Sequence, residues 1–188
     1  MRSVVYSLGV SLDGYVEDRD GGLEWSRPDD ELMAFHNEQA RAYDTSLYGR
    51  GLYENMAGYW PAVRDDPAAG EADREFARVW CALPKVVFST TLTEVGWNSR
   101  LVRGDLLGEV ARLKAEPGGD MDLGGPRLAA SFLRLDLVDE FRLFVHPVVL
   151  GGGTPLFPPL ERGYGLELVD TRVFGSGVVY LAYRRPAG

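Results

Sequence analysis

Three short motifs at the ends of predicted strands contain the residues best suited to chemistry. The first is Gly124-Gly125-Pro126, which follows a short strand and precedes a helix. Two glycines let the backbone approach a ligand, Pro126 suits the first helical position, and a helix N-terminus offers free N–H groups to a phosphate. A tight strand-to-helix turn is the alternative, and the three spaced glycines of the G-x-G-x-x-G fingerprint are absent.

The other two motifs have the same position relative to a strand. In Gly49-Arg50-Gly51 an arginine follows a predicted strand, where it can bind a phosphate through two parallel hydrogen bonds. Ser89-Thr90-Thr91 places hydroxyls at the end of another strand. A surface arginine and loop-capping hydroxyls are the alternatives. Because ligands of open α/β sheets collect at the carboxyl ends of strands, the three motifs together favour a dinucleotide.

These motifs need a sheet whose strands are joined by helices, and the hydrophobic pattern predicts one. Residues 4–12 alternate between a bulky face and a small or polar face, which indicates that something large packs against the backbone. Further strands are predicted at residues 45–48, 85–89, 101–102, 120–123, 140–149, 166–174 and 178–184. Helices are predicted at residues 26–44, 71–82, 106–116 and 127–135, and after Gly51. Residues 59–70 contain two prolines and one glycine and are predicted to be a loop.

The order of these elements predicts the fold class. Strands separated by helices fill the first two thirds of the chain, and antiparallel strands with a hairpin at Gly175-Ser176-Gly177 follow. We expect one domain over residues 1–188 with a three-layer α/β/α fold. Its central sheet should be mixed and mostly parallel, with antiparallel C-terminal strands.

Composition and charge restrict the function further. The chain has 188 residues, a net charge of -8 and scattered basic residues, so nucleic acid is not an expected partner. No apolar run approaches about 18 residues and no signal-peptide core is visible, so we expect a cytoplasmic protein without a membrane partner. Cys81, His36 and His146 lie far apart in the sequence, and no metal site is expected.

Six short segments occur in a specific order along nearly the whole chain. They are Ser11-Leu12-Asp13-Gly14-Tyr15, Leu47-Tyr48-Gly49-Arg50, Phe88-Ser89-Thr90, Leu123-Gly124-Gly125-Pro126-Arg127-Leu128, Leu137-Val138-Asp139-Glu140 and Pro147-Val148-Val149-Leu150-Gly151-Gly152-Gly153. In this order the chain resembles the dihydrofolate reductase superfamily. The likeness is greater to the C-terminal reductase domain of the riboflavin-biosynthesis deaminase-reductase than to dihydrofolate reductase itself.

The resemblance implies an NADPH-dependent reductase, forming a homodimer, that transfers hydride to a pteridine- or pyrimidine-like heterocycle or to an imine. It implies that Arg50 lies near the 2′-phosphate and that the helix after Gly125 binds the pyrophosphate. The implied cofactor-binding residues are Gly49, Arg50, Ser89, Thr90, Gly124, Gly125, Arg127 and Leu128. The small face of the first strand and the loop from Asp13 to Trp25 would lie against the nicotinamide. Leu52 replaces a common Thr or Ser, which would weaken the preference for NADPH over NADH.

The resemblance also implies a catalytic carboxylate. Dihydrofolate reductases place one near the start of the first helix, after a tryptophan, and Asp30 follows Trp25 in this way. A half-buried Asp30 beside an apolar substrate would have a raised pKa and could help protonate an imine nitrogen. Stabilisation of the helix dipole is the alternative for Asp30, and Asp29 or Glu31 could take its role. Asp13 is the second candidate, with turn formation as its alternative.

Trp25, Tyr53 and Trp60 are candidate substrate-binding residues, because aromatic rings stack on planar ligands; core packing explains them equally well. The three acidic residues at positions 29–31 accompany only Arg27, which suits a phosphorylated substrate poorly. The H-x-E and P-C-x-x-C motifs of a zinc deaminase are absent. Two other functions remain open: a non-catalytic nucleotide-binding protein of the same fold, and a partner-binding subunit that uses its C-terminal β edge.

Overall fold

A computed structural model describes residues 2–186, so Met1, Ala187 and Gly188 of the predicted domain lie outside the described residues. The strands are β1 (Val4–Ser11), β2 (Tyr15–Glu17), β3 (Thr45–Gly49), β4 (Lys85–Phe88), β5 (Ser99–Val102), β6 (Met121–Gly124), β7 (Glu140–His146), β8 (Thr154–Pro155), β9 (Glu167–Val173) and β10 (Val179–Arg184). The α-helices are α1 (Asp30–Arg41), α2 (Arg50–Asp65), α3 (Glu71–Ala82), α4 (Leu106–Ala115) and α5 (Pro126–Arg134).

Eight strands form the central sheet in the order β5-β4-β3-β6-β1-β7-β10-β9. The strands from β5 to β7 pair in parallel, whereas β10 is antiparallel to both β7 and β9. The predicted mixed, mostly parallel sheet with an antiparallel C-terminal edge is therefore confirmed. β2 and β8 form a separate two-stranded ribbon that the sequence pattern did not predict.

The two faces of β1 have different roles, as the alternation of its side chains predicts. Val4, Tyr6 and Val10 belong to the main hydrophobic core, which includes Val110 of α4 and Phe132 of α5. The opposite, small face lies towards α1, α2 and α3. Each helix layer thus covers one face of the sheet, which is how a sheet buries both of its surfaces.

The alternation over residues 4–12 predicts that Leu12 lies on the bulky face of the first strand, and the structure places it elsewhere. It is 67% exposed because β1 ends at Ser11, where the chain turns through Asp13-Gly14. The strand therefore stops one residue before its hydrophobic pattern does.

The predicted loop at residues 59–70 is wrong for its first half, because α2 continues to Asp65 with Pro61 inside it. A proline in a helix removes one hydrogen bond and disfavours the preceding turn. Here Trp60 packs on Phe76 of α3 with ring centroids 4.5 Å apart, and this aromatic packing holds the helix together beyond Met56. Tertiary packing outweighs the local signal.

The first helix begins later than predicted. Glu24–Ser26 forms a separate 3₁₀ turn, and α1 starts at Asp30. Asp29 is its N-cap, since the Asp29 side chain accepts a hydrogen bond of 2.9 Å from the N–H of Leu32. Across residues 2–186, no helix combines the length and the apolar character that crossing a bilayer requires.

Candidate active site

A cavity of about 800 Å³ lies between the small face of the sheet and helices α1, α2 and α3. At one end it is lined by Gly49, Arg50, Gly124, Gly125, Arg127 and Leu128, which we call the mouth. Further in, its strand residues include the small or polar Ser7, Gly9, Ser46 and Asp122, which we call the floor. Six of the eight predicted cofactor residues thus surround one cavity.

Glycine is required at the mouth for steric and conformational reasons. A Cβ on Gly124 would lie 2.5 Å from Cδ2 of Leu52 and 2.7 Å from the ring of Tyr48, so no side chain fits there. Gly125 is the N-cap of α5 and has a φ of +87°, which L-residues rarely adopt. The backbone N–H groups at the start of α5 therefore remain open to the cavity, where an anion would be stabilised.

Arg50 is the first residue of α2 and is exposed at the mouth. Its Nη1 donates a hydrogen bond of 3.2 Å to Oγ1 of Thr91, and its Nε lies 3.6 Å from a carboxylate oxygen of Glu54. Ser89 and Thr90 are not among the cavity residues; the Ser89 hydroxyl accepts hydrogen bonds from the N–H groups of Thr91 and Leu92. Thr91, which belongs to the predicted hydroxyl cluster but not to the implied cofactor residues, is the hydroxyl that orients Arg50.

The floor is polar although it lies in the middle of a sheet. Ser46 of β3 and Asp122 of β6 are cross-strand neighbours, and burial raises the pKa of Asp122 to about 7. The Ser46 hydroxyl is fully buried, and within the described chain it has no hydrogen-bond partner of acceptable geometry. Sequence analysis missed this pair. The available signal was a single polar residue alternating with apolar ones in a buried strand.

Two α1 side chains, His36 and Gln39, line the cavity opposite the floor, together with Tyr43 from the turn between α1 and β3. His36 packs on Phe144 with ring centroids 4.4 Å apart. Burial, together with the second imidazole of His146, lowers the pKa of His36 to about 4. The imidazole is therefore neutral at pH 7 and can exchange hydrogen bonds without carrying a charge.

His146 lies just beyond the floor at the end of β7. Its ring packs edge-on against Trp25 with centroids 5.4 Å apart, and burial lowers its pKa. A Cβ on Gly9 would lie 3.3 Å from its Nε2. The missing side chain of Gly9 thus lets the His146 ring lie close against β1. Among residues 2–186, no three His, Cys, Asp or Glu side chains cluster as a metal site would require.

The structure places Asp13 outside the cavity lining, at a junction of two loops. Its carboxylate accepts hydrogen bonds from the Ser11 hydroxyl at 2.7 Å and from the N–H groups of Leu150 and Gly151 at 3.1 and 2.7 Å. These bonds, led by that of Ser11, lower the pKa of Asp13. Asp13 therefore holds the 147–153 turn against the end of β1.

Asp30 also lies outside the cavity lining, exposed in the first turn of α1. Its neighbours have structural partners: Asp29 is the helix cap, and Glu31 accepts hydrogen bonds from Arg172 at 2.9 Å and from the N–H of Gly175 at 3.0 Å. The carboxyl group that reaches the cavity floor is Asp122, on a different element from either predicted catalyst.

The three predicted substrate-binding aromatics pack within the fold and are not among the cavity residues. The Tyr53 hydroxyl accepts a hydrogen bond of 2.7 Å from the N–H of Gly96. Trp60 packs on Phe76, as described above, and Trp25 packs on His146. Trp25 is nevertheless close to the site, since its neighbours Leu23 and Ser26 line the cavity.

Relatives with known sequences cover almost the whole chain. The RibD C-terminal domain family matches residues 2–180. The uncharacterized protein YyaP of Bacillus subtilis (strain 168) is 38% identical over 185 residues, which are 97% of this chain and 94% of YyaP. The riboflavin biosynthesis protein RibD of Mycobacterium tuberculosis (strain H37Rv) is 26% identical over 156 residues, covering 79% of this chain but 43% of RibD.

Three solved structures are similar along the chain. A candidate riboflavin biosynthesis protein from Shewanella sp. PV-4 has a TM-score of 0.75 and 27% identity, with all of both chains covered. The Thermotoga maritima deaminase/5-amino-6-(5-phosphoribosylamino)uracil reductase has a TM-score of 0.67 and 18% identity over 98% of this chain and 57% of that one. Dihydrofolate reductase from Enterococcus faecalis, complexed with NADP(H), has a TM-score of 0.64 and 15% identity over 98% and 97%.

The family match, the YyaP relative and the shared fold agree with the order of motifs in the sequence. The fold is dihydrofolate reductase-like, with a mixed, mostly parallel central sheet. The chain belongs to the RibD C-terminal domain family.

Proposed function

We propose that this protein is an NADPH-dependent reductase that transfers hydride to a small nitrogen heterocycle or to an imine. The observation that carries the proposal is the continuity of one cavity from a glycine-lined mouth to a polar floor. A cavity of this size accommodates the cofactor's reactive end and a small substrate together. The homodimer that the family resemblance implies belongs to the same proposal.

The residues at the mouth fit a dinucleotide phosphate. Gly124 and Gly125 form a cradle that a Cβ would fill, directly before the N-terminus of α5, which suits a pyrophosphate. Arg50 has a guanidinium at the surface of the mouth that would bind the 2′-phosphate, with Thr91 orienting it. Ser7 and Gly9 line the cavity along β1, where the flat nicotinamide ring would lie.

When it is bound, the dihydronicotinamide supplies the hydride, and the protein supplies position and a proton. The neutral His36 and the hydroxyls of Tyr43 and Ser46 would hold a polar heterocycle against the floor. The reductase activity in the name of the T. maritima protein and the NADP(H) bound to the E. faecalis enzyme support this reading.

Calorimetric titration with NADPH and, separately, with NADH tests the proposal. We expect micromolar binding of NADPH, weakened by Arg50→Ala and by Gly125→Val. Turnover is then measured as the oxidation of NADPH in the presence of a panel of dihydropterins, aminopyrimidines and cyclic imines. Absence of binding by both nucleotides contradicts the proposal, whereas tight binding without turnover favours the non-catalytic alternative.

A further inference from the structure

Asp122 is a carboxyl group inside the cavity that the proposed cofactor site does not use. It lies on β6 between Met121 and Leu123, which are fully buried in the core on the other face of the sheet. Because side chains alternate along a strand, Asp122 faces the helix layer that contains α1. Its cross-strand neighbours are Ser46 on β3 and Val5 on β1. The carboxyl thus reaches the floor beside Ser46.

The cation that influences Asp122 is already neutralised by another acid. Nε of Arg142 donates a hydrogen bond of 2.6 Å to Glu140. Its Nη1 donates to the Gln39 amide oxygen at 2.5 Å and to the Tyr43 hydroxyl at 3.2 Å. No ion pair includes Asp122 among residues 2–186. Burial therefore outweighs the opposing effects of Arg142 and Ser46 on the pKa of Asp122 and raises it.

The other titratable groups that face Asp122 carry no charge at pH 7. Burial and the Asp122 carboxylate both raise the pKa of the phenols of Tyr43, in the turn before β3, and Tyr48 on β3. His36 is neutral for the reasons given above. Ser46 adds a fully buried hydroxyl without a hydrogen-bond partner of acceptable geometry in the described chain. Buried polar groups are normally satisfied, so the pair Asp122–Ser46 is suited to a ligand that completes its hydrogen bonds.

We propose that Asp122 is the acid of this active site and that Asp122 and Ser46 together bind the nitrogen that becomes protonated in the reaction. This inference rests on the proposed reductase function. The carbon of a substrate C=N group receives the hydride with its electron pair from the dihydronicotinamide, which is left oxidised. The C=N π electrons move to nitrogen, which takes the proton of the Asp122 carboxyl. The resulting carboxylate regains a proton from solvent.

The distribution of charged side chains along the cavity indicates the class of substrate. The guanidinium groups among the cavity residues, Arg50 and Arg127, are at the mouth, whereas the deeper lining contains Glu17 and Asp122. A phosphate on the substrate would find no guanidinium among the floor residues to bind it. A neutral, planar nitrogen heterocycle without a phosphate group, such as a dihydropterin, fits this end of the cavity.

The first test is infrared pH titration of the protein without ligands. The wild type should show a carboxylic-acid C=O band that disappears as pH rises through about 7. Asp122→Asn should lose this band, and Glu38→Gln, at an exposed site on α1, should keep it. A wild type without the band, or a band unchanged in Asp122→Asn, overturns the assignment of the acid whatever the cofactor proves to be.

The second test is calorimetric titration of the NADP⁺ complex with dihydropterin. Asp122→Asn should weaken binding about tenfold, as the loss of one buried hydrogen bond does. Ser46→Ala should weaken it less, and Glu38→Gln should not change it. Absence of dihydropterin binding by the wild type, or equal binding by Asp122→Asn, overturns the substrate assignment. NADPH binding is measured in parallel. Absence of NADPH binding by the wild type contradicts the proposed function. If NADPH binds, a failed dihydropterin test contradicts only the role of Asp122.

Discussion

The mouth and the floor of the cavity are built in different ways. The mouth is formed by backbone at strand ends, where Gly124 and Gly125 leave N–H groups open and a side chain would collide with Leu52 or Tyr48. The floor is formed by side chains in the middle of strands, where Asp122 and Ser46 meet through the register of β3 and β6. The mouth depends on conformation, and the floor depends on burial and charge.

This difference separates two kinds of specificity. A backbone cradle recognises the phosphates that every dinucleotide of its type shares, so it needs few particular side chains. A floor of buried polar side chains rejects a molecule that leaves them unpaired, because an unsatisfied buried group is costly. We therefore expect substitutions at the mouth to change cofactor binding and substitutions at the floor to change pH dependence and substrate choice.

The largest effect on cofactor binding is expected from Gly125→Val at the mouth. A β-branched residue at a φ of +87° is strained, which should lower the free energy of unfolding by about 2–3 kcal/mol. The displaced turn should raise the Kd for NADPH about a hundredfold. Chemical denaturation and calorimetry measure the two effects. Gly58→Ala on α2 is the control, since a Cβ there meets nothing within 4 Å; unchanged NADPH binding by Gly125→Val would contradict the cradle.

The largest effect on stability concerns the floor and has a defined sign. The folded-state pKa of Asp122, about 7, lies above the ordinary 3.8, so its contribution to stability is complete below pH 3.8 and is lost as pH rises through 7. Asp122→Asn should therefore be more stable than the wild type at alkaline pH, by about 4 kcal/mol, and lose this advantage in acid. Urea denaturation across the pH range measures it. A constant difference at all pH values would contradict the raised pKa.

Arg50→Ala should separate the two nucleotides. Loss of the guanidinium that we assign to the 2′-phosphate should raise the Kd for NADPH about tenfold and leave that for NADH nearly unchanged. Arg78→Ala, at an exposed ion pair on α3, is the matched control. Equal weakening of NADPH and NADH binding would show that Arg50 does not bind the 2′-phosphate.

A smaller change of stability with pH is expected for His36→Phe, whose sign is opposite to that at Asp122. The folded-state pKa of His36, about 4, is below the ordinary 6.5. The fold therefore favours the neutral ring, and the contribution of His36 to the free energy of unfolding is lost as pH falls from 6.5 towards 4. The variant should therefore lose about 1 kcal/mol less stability than the wild type for each pH unit of that interval. Thermal unfolding at several pH values measures the difference, and parallel curves would show that His36 is not buried as described.

The contrast between mouth and floor also explains what the sequence could predict. Gly49-Arg50 and Gly124-Gly125 are adjacent in sequence and obey local backbone rules, so they were found from motifs alone. Asp122 and Ser46 are 76 positions apart and become neighbours only through strand register, which no local pattern contains. The end of α2 was mispredicted for a related reason, since the packing of Trp60 on Phe76 outweighs Pro61.

The predicted catalytic carboxylates show the same limit. Asp30 and Asp13 were selected by their positions near a helix start and a turn, where acidic residues also have structural tasks. The structure gives Asp13 three hydrogen-bond donors and leaves Asp30 exposed. Burial decides whether a carboxyl can hold a proton at neutral pH, and burial follows from the tertiary fold.

A crystal structure with bound NADP⁺ tests the central claim most directly. We expect the 2′-phosphate beside Arg50, the pyrophosphate at the N-terminus of α5, and the nicotinamide along Ser7 and Gly9, with Asp122 facing the space left for the substrate. A dinucleotide bound outside this cavity, or a nicotinamide directed away from the floor, would contradict the account.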